Sequence, residues 1–311
     1  MSDRGGDRGA VRIATRASAL ARWQATFVQE RLAELGVRST LVAIETDADR
    51  SSLPIAHLGV GVFTKAIQEA LLDDRADVAV HSFKDLPSAV DPRLELAAVP
   101  ERASAHDVLL VRRGFDVQVG ALPLTRGARI GTGAARRRAQ LLHVRPDLVV
   151  QPLRGNVPTR IAKLRAGEHD AIVLAAAGLE RLEIDLEGLE RFDLDTSVMV
   201  PAPAQGALAL EIRRGDPLGD LLTDLHDVGG YPSVAAESGL MTMLAAGCQL
   251  ALGAYARSVD GALELEAFYE DERVRVVHAS AEGAAMLAFD ALGRPARARA
   301  ESAAPHDGAP S

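Results

Sequence analysis

The sequence predicts two similar α/β lobes with parallel-type sheets around a cleft, followed by a small C-terminal α+β domain. Three observations carry that expectation. A strand–helix–strand–helix–strand pattern is stated twice between residues 11 and 175. Each statement opens with a strand that ends in threonine just before a helix, Ile13-Ala14-Thr15 and Ile130-Gly131-Thr132. Beyond about residue 228 the texture changes to one helix followed by three stretches of alternating polarity. Strands alternating with helices build parallel sheets with covered faces, whereas successive alternating strands build an antiparallel sheet.

In the first lobe, residues 11–15 read as a strand, 18–35 as a helix and 41–45 as a second strand. Residues 46–63, rich in Asp, Ser, Gly and Pro, make a loop too long for a plain connection, which marks a lid with Gly59, Gly61 and Phe63 as its positions of interest. No GxGxxG follows a strand there, so Gly59-Val60-Gly61 is not a dinucleotide fingerprint. Residues 64–74 form an amphipathic helix, and Val78-Ala79-Val80 is the short apolar run of a strand buried on both faces. In the second lobe, 129–132 is a strand, 134–143 a helix, 148–152 a strand, and 159–175 a further helix and strand. The local text repeats as well, Asp77-Val78-Ala79-Val80 against Asp170-Ala171-Ile172-Val173, although chance likeness among α/β units is the alternative. A proline-marked crossover, Val200-Pro201-Ala202-Pro203, leads into another buried strand that returns to the first lobe. A helix over 234–245, a Gly247-Cys248 turn and strands near 250–258, 262–269 and 273–279 complete the chain. Residues 10–103 and 203–224 are thereby assigned to the first lobe, 106–200 to the second, 228–295 to the C-terminal domain, and 296–311 to a disordered tail rich in Ala, Pro and Gly.

Composition narrows the function. At 311 residues, 48% hydrophobic and 25% charged, the chain has an ordinary globular balance. Its net charge of −8 argues against nucleic-acid binding. There is no signal-peptide core and no membrane-length apolar run, and the single cysteine excludes an intramolecular disulfide, so a cytoplasmic protein is expected. The eight histidines show no metal-ligand spacing, and no metal is expected. Only three of the 35 basic residues are lysines, so each lysine is more informative than an arginine.

One of those lysines stands just beyond the strand at 78–80, in His81-Ser82-Phe83-Lys84-Asp85-Leu86-Pro87. Open α/β sheets bind ligands at the carboxyl ends of their strands, which makes Ser82, Lys84 and Asp85 candidates for chemistry; the bland alternative is a capped loop with a surface ion pair. Arg16, Arg136, Arg137, Arg154 and Arg160 cluster at strand ends and helix starts. Their planar forks suit carboxylates or phosphates, so a set of them across a cleft implies a polyanionic ligand. Cys248 lies in Ala245-Ala246-Gly247-Cys248-Gln249. It is either a small buried hydrophobe or, given the space left by its neighbours, a reactive or covalently occupied thiol.

Five segments together resemble the porphobilinogen deaminase (hydroxymethylbilane synthase) family: Arg12-Ile13-Ala14-Thr15-Arg16-Ala17-Ser18, Ala79 through Pro87, Leu153-Arg154-Gly155-Asn156-Val157, Pro201-Ala202-Pro203-Ala204-Gln205-Gly206 and Gly247-Cys248-Gln249. The resemblance implies periplasmic-binding-protein-like lobes and a third domain whose Cys248 carries one dipyrromethane cofactor through a thioether. It implies a transferase that joins four porphobilinogen molecules head to tail with loss of ammonia, releasing hydroxymethylbilane for haem biosynthesis; three self-contained domains point to a monomer, and the lack of a membrane-length apolar run to a small-molecule enzyme away from membranes. Asp85 would be the catalytic carboxylate, stabilising an azafulvene cation and moving protons. Arg16, Ser18, Ser82, Lys84, Thr132, Arg136, Arg137, Arg154, Arg160 and Gln205 would bind the acetate and propionate arms.

The sequence departs from the family pattern at four places. Gly133 and Ala134 stand where two serines are common, Val60 where the lid carries lysine, and Ala66 where glutamate follows the lysine. Serines at 133 and 134 are expected to strengthen substrate binding modestly. Two rivals share the residues: a non-catalytic two-lobed anion-binding protein, which leaves Cys248 unexplained, and a deaminase-like chain that has lost activity.

Overall fold

The computed structural model describes residues 9–45, 64–88, 91–116, 120, 122–244 and 251–303. In the first lobe the strands are β1 (Val11–Arg16), β2 (Ser39–Ile44), β3 (Val78–Ser82), β4 (Leu94–Ala98) and, from much later in the chain, β10 (Leu208–Arg213). They form one sheet of order β2-β1-β3-β10-β4. Side chains alternate across β1, so its two faces meet two different helices. Val11 and Ile13 pack with Ala25, Val28 and Leu32 of helix α1 (Ala19–Glu34). Ala14 faces the other way, onto Ile67, Ala70 and Leu71 of helix α2 (Lys65–Leu72).

Helix α1 shows how local sequence sets these bounds. Ser18 caps its start, Oγ accepting from the Ala21 N–H at 3.3 Å. Its end is a Schellman turn: Gly36, at φ 78°, donates to Ala33 O, and Val37 donates to Leu32 O, both at 2.9 Å.

The second lobe repeats the arrangement with β5 (Asp107–Arg112), β6 (Arg129–Gly131), β7 (Val149–Gln151), β8 (Ala171–Ala175) and β9 (Leu189–Leu194), in the order β7-β6-β8-β5-β9. Helices α3 (Ala135–Val144), α4 (Val157–Arg165) and α5 (Ala176–Arg181) accompany them. The sheets are of the expected parallel type, with one strand reversed in each. Four strands of each sheet share one direction and one runs against them: β10 is antiparallel to its neighbours β3 and β4, and β5 to β8 and β9. Both exceptional strands carry five consecutive buried residues, and such a run reveals burial on both faces without revealing direction. Each enters its sheet directly from a crossover between the lobes.

Helix α6 (Leu218–Leu222) closes the first-lobe core with Leu218 and Leu222. Beyond it lie helix α7 (Tyr231–Met243), an antiparallel meander of β11 (Gly253–Val259), β12 (Ala262–Tyr269) and β13 (Glu272–His278), and helix α8 (Ala281–Ala303). The inner face of the meander, Ala254, Ala256, Leu263, Leu265 and Ala267, packs on Leu240 of α7 and Ala284, Ala285 and Ala288 of α8. Helix α8 runs past residue 296, where the tail was expected to begin, to Ala303. Alanine and arginine are strong helix formers, and they outweigh the single Pro295. Residues 304–311 lie outside the described residues.

Glu237 of α7 joins the three units. Its fully buried carboxylate takes a bidentate pair from Arg102 at 2.7 and 2.8 Å, the Ala204 N–H at 2.7 Å and the Ala256 N–H at 2.8 Å. Arg102 and Ala204 belong to the two crossovers, and Ala256 to β11.

Candidate active site

The carboxyl ends of β1 and β3 open onto a pocket of about 80 Å³ lined by Arg16, Ser18, Gln24, Thr64, His81, Ser82 and Asp85, among others. Ser82, the last residue of β3, sits 2.8 Å from the Gln24 side-chain amide. A 3₁₀ turn, Phe83–Asp85, follows at once. Phe83 anchors it: the ring is buried, and its N–H donates to Ala207 O at 3.0 Å. That anchoring sets the next two residues, Lys84 and Asp85, at the cleft. Burial pushes the Lys84 ammonium below the usual lysine range; Asp85 and Asp107 oppose the shift, while Arg137 and Arg136 add to it.

The second lobe supplies the charged groups that act on Lys84. Arg136 and Arg137 lie in the first turn of α3 and are both buried. Their partner is Asp107, the first residue of β5, with Arg136 Nη2 at 2.7 Å from Oδ2 and Arg137 Nη2 donating to Oδ1 at 2.7 Å. Two guanidinium groups overcome the cost of burial and hold the Asp107 carboxyl down at about 2. Gln205 is also buried, donating to Ala105 O at 2.6 Å and to Asp107 Oδ1 at 3.0 Å. Arg160 on α4 donates to Gly155 O at 2.7 Å. Burial, with Arg137 adding to it, lowers Arg160 to about 10. Arg154 is exposed in the loop after β7, beside Gly155 at φ 110°.

Thr132, directly after β6, is buried, and its Oγ1 accepts from the Ala134 N–H at 3.2 Å. The neighbouring Gly133 packs closely against the main chain. A Cβ there would lie 2.8 Å from the Leu153 carbonyl oxygen, so serine at 133 requires the backbone to move. Ala134 caps α3 without a side-chain hydrogen bond.

Cys248 and the lid positions Gly59, Gly61 and Phe63 lie outside the described residues. The structure thus brings Arg16, Ser18, Ser82 and Asp85 to one pocket, and links Lys84 and Arg160 electrostatically to the Arg136–Arg137–Asp107 cluster. Sequence reasoning missed Gln24, His81, Asp107 and Arg181. His81 Nε2 is 3.1 Å from Glu211 Oε2, both groups being buried, and Gln68 donates to the same carboxylate at 3.0 Å. Arg181 donates to Gly206 O at 2.7 Å and lies over the Trp23 ring at 5.5 Å, spanning the lobes. Glutamine and histidine inside buried stretches were the available signal for Gln24 and His81. For Asp107 it was a charge opening an otherwise apolar strand. Among the described residues there is no cluster of three His, Cys, Asp or Glu suited to a metal ion.

The family described as "Porphobilinogen deaminase, dipyromethane cofactor binding domain" matches residues 11–219. The protein named porphobilinogen deaminase in Mycolicibacterium gilvum is 44% identical over 93% of this chain and 91% of its own length. Those of Mycobacterium marinum and Mycobacterium tuberculosis are 43% identical over 93% of this chain and 90% and 92% of theirs. Among solved structures, the Bordetella pertussis BvgS periplasmic VFT2 domain covers 74% of this chain and 92% of its own, at 16% identity and a TM-score of 0.44. With a matched profile over both lobes and identity at this level along nearly the whole chain, the protein belongs to the porphobilinogen deaminase family.

Proposed function

We propose that this chain is an active porphobilinogen deaminase, joining four porphobilinogen molecules head to tail with loss of ammonia and releasing the linear tetrapyrrole hydroxymethylbilane. The reading is supported by Asp85, a pocket-lining carboxylate on the turn that ends β3, next to Lys84, which the buried Arg136 and Arg137 of the second lobe also act on. The donor set suits a dipyrromethane, whose acetate and propionate arms call for cations; Arg16, Ser18, Lys84 and Arg160 would hold it, with Cys248 as its covalent attachment. When bound, that group supplies the two-ring primer for chain growth. Asp85 would accept pyrrole N–H groups, stabilise the cation left when ammonia departs and carry the proton released on coupling. Thr132, Arg136, Arg137, Arg154 and Gln205 would anchor further arms, and Ser82 would steady the pocket through Gln24. Gly59, Gly61 and Phe63 would serve the lid.

The units taking part would be residues 10–103 with 203–224, 106–200 and 228–295. The enzyme is proposed to act as a cytoplasmic monomer without a nucleic-acid partner, the last supported by a net charge of −8. Among the described residues, no helix is long and apolar enough to cross a membrane.

The test is the purified chain with porphobilinogen. Hydroxymethylbilane release is expected, with an intact mass raised by two pyrrole units that Cys248→Ala abolishes. Asp85→Asn should lose roughly 10²–10⁴-fold in rate while still binding substrate. Active protein with an unmodified mass would overturn the cofactor assignment. Binding without any ammonia release would favour a non-catalytic anion-binding protein.

A further inference from the structure

We propose that Asp107 is a positioning residue for this reaction: a resident counter-ion that fixes both carboxylate-binding arginines and ties them to the crossovers between the lobes. Its side chain is fully buried. Oδ1 accepts from Arg137 Nε at 3.2 Å and Nη2 at 2.7 Å, and from Gln205 Nε2 at 3.0 Å. Oδ2 lies 2.7 Å from Arg136 Nη2. Each guanidinium has a second anchor on the main chain: Arg136 Nη1 donates to Val200 O at 2.6 Å, and Arg137 Nη1 to Val173 O at 2.9 Å. One carboxylate therefore sets the direction of both forks.

The location gives this clamp a consequence. Asp107 ends the outgoing crossover, while Val200 and Gln205 belong to the returning one. Gln140 of α3 reinforces the same point, accepting from the Val200 N–H at 2.7 Å and donating to Val200 O at 3.0 Å. The arginines that would hold substrate arms are thus fastened to the segments about which the lobes would turn. Charge supports the assignment as well. Arg136 and Arg137 act on Lys84, Arg137 also acts on Arg160, and Asp107 and Asp85 act on Lys84 with the opposite sign. Removing Asp107 takes away the carboxylate that Arg136 and Arg137 share. Arg137 would be released from its orientation, and Lys84 would lose a proton more easily.

The inference rests on Arg136 and Arg137 binding substrate carboxylates. Asp107→Asn keeps size and polarity but removes the charge. The expected result is KM for porphobilinogen raised about tenfold, with kcat changed less. The alkaline limb of the rate profile should move to lower pH, since the lost anion was raising Lys84. A purely structural Asp107 would lower the melting temperature and leave KM and the pH limb of the folded fraction where they were; that result overturns the proposal. Arg137→Leu separates the two readings. If it leaves KM unchanged, carboxylate binding by Arg137 fails. If it raises KM and Asp107→Asn does not, only the positioning role fails. Should Asp107→Asn and Asp107→Ser both fail to fold, the residue is structural and the proposal falls. It falls equally if a dicarbonyl reagent modifies Arg136 and Arg137 of the wild-type protein as fast as exposed Arg154.

Discussion

A methyl group built on Gly133 would sit 2.8 Å from the carbonyl oxygen of Leu153, while the next residue caps α3 with an alanine that makes no side-chain bond. The two positions, alike in the sequence as lost serines, therefore oppose each other in effect. Ala134→Ser should supply the missing cap and stabilise the protein by about 1 kcal/mol. Gly133→Ser should destabilise it by roughly 1–3 kcal/mol, because the obstacle is backbone rather than a side chain that can swing away. Thermal melts of the two single variants check this, and equal shifts of one sign would refute it. The sequence exposed which chemical groups stood where, such as Lys84 and Asp85 after an apolar strand. It could not show what each group was already paired with. Arg136 and Arg137 read as open cations until β5 is seen to bring Asp107, about thirty positions earlier in the chain, within 2.7 Å of both.

At the scale of elements, helix α7 acts through one residue on its buried side. Glu237 collects four hydrogen bonds from Arg102, Ala204 and Ala256, and Ala204 itself adopts φ 56° to present its N–H. Glu237→Gln would leave the partly buried Arg102 without its counter-ion; breaking a fully buried pair typically costs 3–5 kcal/mol, so a loss at or below about 3 kcal/mol, about 6–12 °C in melting temperature, is expected. Calorimetry should show that loss, and a shift within about 1 °C would mean that the pair is not a working joint. The same domain shows where sequence is clear and where it is not. The hairpin at Asp260-Gly261 carries a sequence signal, an Asp-Gly pair between alternating stretches, and both residues take the positive φ that such a tight turn needs. The hairpin at Glu270-Asp271 takes positive φ at both positions without glycine, so only the alternating strands on either side announced it.

The repeat visible in the sequence corresponds to two sheets of the same strand order, and its legibility rested on matched strand ends such as Thr15 and Thr132. The exchange of β5 and β10 through the crossovers was less visible, because strand direction leaves no mark on a fully buried apolar run. That exchange bears on how the molecule comes into being on the ribosome. Every strand of the second sheet lies between Asp107 and Leu194, so that lobe is complete in one uninterrupted stretch of emerging chain. The first sheet has β3 and β4 early but lacks the strand that belongs between them until Leu208–Arg213 is translated, roughly 5–20 s later at ordinary elongation rates. The N-terminal lobe should therefore be the later of the two to close. Stalled nascent chains ending near residue 205, probed by amide exchange, should protect β6 and β8 while β3 and β4 still exchange. Early protection of β4 would mean that another segment stands in for the missing strand. Until then Val80, Leu94 and Ala98 lack their neighbour, and chaperones that read exposed apolar strands would meet this protein during that interval.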